Sequence, residues 1–305
     1  MPGTAAPREI SRAAAYVLLH VTVVLWGLTA ILGRIISIEA VSLVWYRLVL
    51  VVVVIAALML ARRMPLRPAP GTLGPYALAG ALIGLHWLCF YGAIKVSGVA
   101  TAVIGLSTVT FFTAVLEPLV FGRPVARYEL GIGLLVMVGA SLLAKLEVQA
   151  SALGLSLALG SAVLAAAFGS INGSLARKDR AEHVMLYEMS AAALTTTLVL
   201  VVRGHGFVVP WALSLRDALL LGALAVACTV VPQLWVLHVL RVLSPFTVAL
   251  SVTLEPVYSL VIVLLAFPAA EAPSWRFLFG AALLIGLIAL NARLKRGSAP
   301  APAAA

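Results

Sequence analysis

Residues 244–266 read SPFTVALSVTLEPVYSLVIVLLA, an apolar run with one acid, Glu255, at its centre and Pro256 beside it. A helix that crosses a bilayer needs about 20 mostly apolar residues, and this run supplies them. A charged carboxylate at the bilayer centre costs about 2.5–3.5 kcal/mol on insertion scales. Pro256 removes a backbone donor and frees a carbonyl about one turn earlier. An acid beside a broken helix at mid-depth is a way to build a polar site inside lipid.

The rest of the chain has the same character. Of its 305 residues, 63% are apolar and 10% charged, and the mean hydropathy is +1.12. A soluble protein keeps about a quarter of its residues charged. A chain this apolar takes lipid as its main solvent, which excludes disorder, collagen, coiled coil and an ordinary soluble enzyme. The net charge of +10 does not point to nucleic acid, because the basic residues form small groups between apolar runs. Arg62, Arg63 and Arg67 form one group, Arg177, Lys178 and Arg180 a second, and Arg293, Lys295 and Arg296 a third. Cys89 and Cys228 lie inside apolar runs, against a disulfide framework.

Ten spanning helices are expected, at 13–33, 41–61, 73–94, 97–121, 128–144, 152–176, 183–202, 217–240, 244–266 and 276–294, with a short linker at 95–97. Barrel strands are rejected because these runs are continuous, whereas barrel strands alternate over about ten residues. With the N-terminus inside, most Lys and Arg fall in the inner loops and tails. That bias predicts two cytoplasmic termini in a multi-pass inner-membrane protein, with anionic lipid as the electrostatic partner. The Pro/Ala-rich end, within 295–305, reads as a disordered tail.

The two halves, 13–144 and 152–294, repeat. Trp26-Gly27 matches Phe168-Gly169, Tyr46-Arg47 matches Tyr187-Glu188, and Lys95-Val96 matches Arg241-Val242. Gly131 with Leu134-Leu135 likewise matches Gly280 with Leu283-Leu284. Each half holds an odd number of spans, so the second enters from the opposite face. The expected fold is all-α integral membrane, ten transmembrane helices as two inverted five-helix repeats.

These residues resemble the EamA family of the drug/metabolite transporter superfamily. The resemblance rests on Trp26-Gly27 in span one, Arg47 in span two, Glu255-Pro256 in span nine and the Gly-rich fifth and tenth spans. It extends from about residue 13 to 294. The family pattern often places an acid after the fourth and ninth spans; here Gly122-Arg123 stands in the first place, and Glu271 alone fills the second. The resemblance implies a carrier of small metabolites.

No Walker A loop, HExxH, nucleophile elbow or paired Asp cluster is present, and the two aspartates, Asp179 and Asp217, lie near loops. The chain is therefore expected to be no enzyme and to hold no cofactor or metal. Its expected partners are a small-molecule substrate and membrane lipid, with oligomeric state and substrate identity left open. A passive channel or facilitator of the same fold is the alternative to a coupled carrier.

The candidate cavity residues are Trp26, Arg47, His86, Trp87, Tyr91, Asn172, Tyr187, Glu188, Gln233, Trp235, Glu255 and Tyr258. Glu255 is the candidate for proton coupling, since a desolvated carboxyl suits binding and release of a proton. Its alternative is an uncharged acid bonded to Gln233. His86, Trp87 and Tyr91 offer stacking and hydrogen bonds to a substrate, or His86 serves packing through a bond to Ser or Glu. Gly80-x-x-x-Gly84 and Gly169-x-x-x-Gly173 favour close helix packing. Glu117 is expected to reach headgroups or Arg123, and His20, His183 and His238 to be interfacial. Arg47 lies about 9 Å deep from outside and Glu188 about 7 to 8 Å deep from inside, at 1.5 Å per residue. In a core about 30 Å thick they are too far apart to pair. They are expected at opposite ends of the cavity, Arg47 at the outer mouth and Glu188 at the inner one.

Overall fold

The computed structural model describes residues 10–68, 70–143, 151–204, 208–266 and 274–296. His205, Glu271, the end of the fifth span at 144 and the tail from 297 lie outside the described residues. Among these residues all regular structure is helical. The first six helices are α1 (Arg12–Ile35), α2 (Ala40–Ala61), α3 (Leu73–Ser107), α4 (Val109–Phe121), α5 (Arg127–Leu143) and α6 (Ala152–Lys178). They are followed by α7 (Ala181–Arg203), α8 (Leu215–Ala225), α9 (Val231–Val239), α10 (Pro245–Val252), α11 (Glu255–Ala266) and α12 (Trp275–Arg296). A π-helical turn, Val226–Val230, joins α8 to α9. Lys295 and Arg296, expected to open the tail, close α12 instead.

Serines start five of the described helices. Ser11, Ser151, Ser214, Ser244 and Ser274 accept hydrogen bonds from the backbone N–H of Ala14, Gly154, Asp217, Thr247 and Phe277, which would otherwise lack partners. Gly122 and Gly204 end α4 and α7 in the left-handed conformation. The buried face of α2 carries Val44, Arg47, Leu48, Val51, Ile55 and Met59, the three-and-four spacing of one helix face. Arg47 is therefore aimed inward by its register.

The expected linker at 95–97 is helical, and the chain turns instead at Gly98, whose φ of 83° and ψ of 170° lie where a side chain is strained. Gly92 and Gly105 both face the same turn of α6. A Cβ at Gly92 would stand 3.3 Å from Leu157, and one at Gly105 would collide with Ala158. In a straight helix these glycines would be about 20 Å apart. α3 is therefore a helical hairpin folded at Gly98, with its second leg continuing into α4 after a break at Thr108.

Eight helical stretches among the described residues are long and apolar enough to cross a membrane, and α4 is a shorter apolar helix. The hairpin α3 is one continuous stretch of helix that takes in part of the expected fourth span, and the described part of α5 is 17 residues long. α5 packs on α12 through small residues: a Cβ at Gly280 would come within 2.8 Å of the Gly139 carbonyl oxygen.

Two polar ties lie at opposite ends of the first leg of α3, each with an acid that bonds across the halves and a base that bonds within its own half. At one end the Ser37 N–H and hydroxyl donate to Asp217 (3.0 and 2.5 Å), and Lys95 donates to the Ile36 carbonyl (2.7 Å). At the other the Tyr76 hydroxyl donates to Asp179 (2.6 Å), and Arg241 donates to the carbonyls of Ala176 and Asp179 (2.8 and 3.0 Å). His183 is buried there, its ring nitrogens 3.1 Å from Asp179 Oδ1 and 2.7 Å from the Pro65 carbonyl oxygen, rather than interfacial. A third tie is ionic. Arg123 bridges Glu117 and Glu129 (3.2 and 2.6 Å), Lys295 joins Glu129 (3.2 Å), and the Phe246 N–H donates to Glu117 (2.7 Å). Glu117 is thus buried and paired with Arg123 rather than facing headgroups.

Candidate functional site

A cavity with about 140 Å³ of space for the centres of water-sized molecules lies between the two halves of the chain. Trp26, Arg47, His86, Trp87, Asn172, Gln233 and Glu255 line it. The other five candidates do not. Tyr91 is fully buried behind the wall, because its ring fills the notch left by Gly33 on α1. Tyr187 stacks on Tyr76 with centroids 5.7 Å apart and donates to the Leu66 carbonyl. Tyr258 Oη lies 2.8 Å from His20 Nδ1. Trp235 is half-buried and off the lining. Glu188 sits one layer back, where the Asn172 amide donates to its Oε2 (3.2 Å).

Arg47 is 2% exposed and held on three sides. Its Nε donates to Thr229 Oγ1 and one Nη to the Tyr91 hydroxyl, both at 2.7 Å; the other Nη is 3.5 Å from the Cys228 carbonyl. The guanidinium also lies 3.8 Å above the Trp87 ring, a cation–π contact. Pro232 explains part of this cradle. It has no N–H for the carbonyl four residues earlier, that of Cys228, so this oxygen is left for Arg47. The helix widens into the π turn here, where the Val231 N–H donates to the Val226 carbonyl five residues back, and the Thr229 hydroxyl donates to the Leu224 carbonyl (2.7 Å).

Glu255 stands at the first residue of α11, just after the break at 253–254. It is 6% exposed, and no hydrogen bond or ion pair to its carboxyl occurs among the described residues. The alternative bond to Gln233 is not made, since Gln233 Nε2 has no partner either. Gly27 explains how the acid comes so close to α1. A Cβ there would press within 2.8 Å of Ser259 Oγ and 3.7 Å of Glu255 Cγ. His86 both packs and lines: its Nδ1 is 2.8 Å from Ser161 Oγ and 2.9 Å from the Ser161 carbonyl oxygen. Asn172 Oδ1, Glu188 Oε1 and Thr29 Oγ1 are also buried without partners. Gly80 and Gly84 pack α3 on α7 (Ala192), and Gly173 packs α6 on Pro245.

Thr29, Thr229, Phe90 and Phe168 line the cavity although the sequence did not single them out as site residues. Three had a legible signal. Thr29 lies one turn from Trp26, Phe168 is the repeat mate of Trp26, and Thr229 lies just before Pro232. Phe90 had none, because its apolar surroundings hide which face of α3 it occupies.

An all-helical multi-pass membrane protein enclosing a cavity with buried, unpaired polar groups is the class that fold and site define. Residues 13–145 match the model of the EamA-like transporter family, within the drug/metabolite transporter superfamily. The match covers the first half of the chain, and together with the membrane-length helices it supports a membrane transporter. A solved crystal structure with 19% sequence identity covers 94% of this chain and 100% of its own length with a TM-score of 0.73. At that identity the likeness is one of fold, and it extends through the second half. No curated protein matches the sequence.

Proposed function

We propose that the chain is a secondary transporter that carries a small solute by alternating access across the inner membrane, with both termini cytoplasmic. In this reading ten spans form two inverted halves, 13–144 and 152–294, and none of the residues acts as an enzyme's catalytic group. The observation that carries the proposal is the cavity itself. It is lined from both halves and holds at its wall a carboxyl, Glu255, that no protein group engages. A carboxyl kept in apolar surroundings at a helix break is suited to take up and release a proton as the cavity changes sides.

The polar ties support the inverted repeat. Ser37 and Asp179, Asp217 and Tyr76, and Lys95 and Arg241 are mates about 145 residues apart, as duplicated halves require. Each acid–hydroxyl bond joins the loop after the first helix of one half to the first turn of the third helix of the other. The breaks at Thr108 and at 253–254 fall at matching places in spans four and nine.

Proteoliposomes with an imposed proton gradient test the coupling. Glu255→Gln keeps the side-chain shape without titrating; it is expected to insert normally and to lose accumulation against a gradient while still equilibrating solute. Undiminished accumulation would remove Glu255 from the mechanism. A wild-type protein that only equilibrates solute is the passive facilitator.

A further inference from the structure

Arg47 is a buried permanent cation at the wall of the cavity, with no counter-ion among the described residues. All of its acceptors, Thr229 Oγ1, the Tyr91 hydroxyl and the Cys228 carbonyl, are neutral. A guanidinium presents five N–H donors in a planar fork that matches a carboxylate, and these three contacts leave donors over. A second donor points the same way. Gln233 lies one helical turn beyond Thr229, lines the cavity, and has its Nε2 buried without a partner. Donors left unmade in a dry site are costly, so the ligand that completes them is rich in acceptors. The remaining wall includes Trp26, Trp87, Phe90 and Phe168, which suits an apolar, ring-sized body.

We propose that the transported solute is an organic carboxylate, its head held by Arg47 and Gln233 Nε2 and its apolar body lying among those four aromatic side chains. The assignment rests on reading this cavity as the transport site. It also deepens the role of Glu255: one proton on that acid offsets the negative charge that the solute brings into the cavity.

The test uses the full chain in detergent and three probes with one body: phenylpropanoate, phenylpropanol and phenylpropylamine. Quenching of tryptophan fluorescence reports binding. The carboxylate is expected to bind at least about ten-fold more tightly than the alcohol or the amine. Arg47→Gln is expected to abolish that preference, and Arg47→Lys, which keeps the charge without the fork, to retain part of it. If Arg47→Gln does not fold, the wild-type series decides alone. Equal affinity for carboxylate and alcohol, tightest binding of the amine, or no binding of any probe overturns the proposal. Carboxylate binding at Arg47 without uptake into proteoliposomes leaves this assignment standing and sinks the transport reading. Uptake of a solute with which carboxylates fail to compete does the reverse.

Discussion

Arg47 and Glu188 occupy equivalent places in the two halves, carry opposite charge, and do not meet. Arg47 is bound to Thr229, Tyr91 and Trp87, whereas Glu188 is bound to Asn172. An activity assay on Arg47→Glu, Glu188→Arg and the double variant checks this separation. Each single variant is expected to lose transport, and the swap to restore none of it, because neither side chain inherits a partner from the other. Full rescue would mean that the two touch during the cycle. Glu255, Arg47 and Gln233 were legible in the sequence because polar groups stand out in apolar runs. Which aromatic rings reach the cavity was not. Phe90 and Tyr91 are adjacent and equally apolar in context, and only the notch at Gly33 decides that Tyr91 turns away.

Among the helices, the least expected feature is the fold of α3 at a single residue. Gly98 alone adopts the conformation that reverses the chain, so Gly98→Ala is expected to cost about 1–3 kcal/mol. It should lower the thermal unfolding temperature in detergent. Gly286→Ala is the matched control. It lies exposed in the middle of α12, where a Cβ meets nothing within 4 Å, and it is expected to gain about 0.5–1 kcal/mol. A gain at Gly98 equal to that of the control would mean that the hairpin is not strained there. The sequence placed a linker at 95–97, since apolar periodicity reads the length of a run and not the dihedral angles of one glycine.

At the scale of the whole molecule, the proposed inverted halves would set the sidedness of every loop. A reporter fused after Arg296 is expected to read as cytoplasmic, and one inserted within 205–207 as external. The same side for both would show that the number of spans is wrong, and the pseudo-symmetric pairing of the ties would lose its meaning. The Ser37–Asp217 and Tyr76–Asp179 bonds join one half to the other at the two ends of the first leg of α3, so the alternating access proposed above is expected to break one of them while it keeps the other.

The sequence by itself determined that this chain lives in lipid, that its regular structure is helical, and that Arg47, Glu188 and Glu255 stand inside apolar runs. Burial of polar backbone in hydrocarbon leaves few alternatives to helices, and the cost of a charge in an apolar run makes each exception visible. The tertiary structure alone decided which polar groups face a shared cavity, which are paired behind its wall, and where helices break without a loop. Those outcomes depend on contacts between residues far apart in the chain, such as Arg47 with Thr229 and Ser37 with Asp217. Local pattern carries no record of which partners will meet, because the same apolar helix face packs equally well on several neighbours.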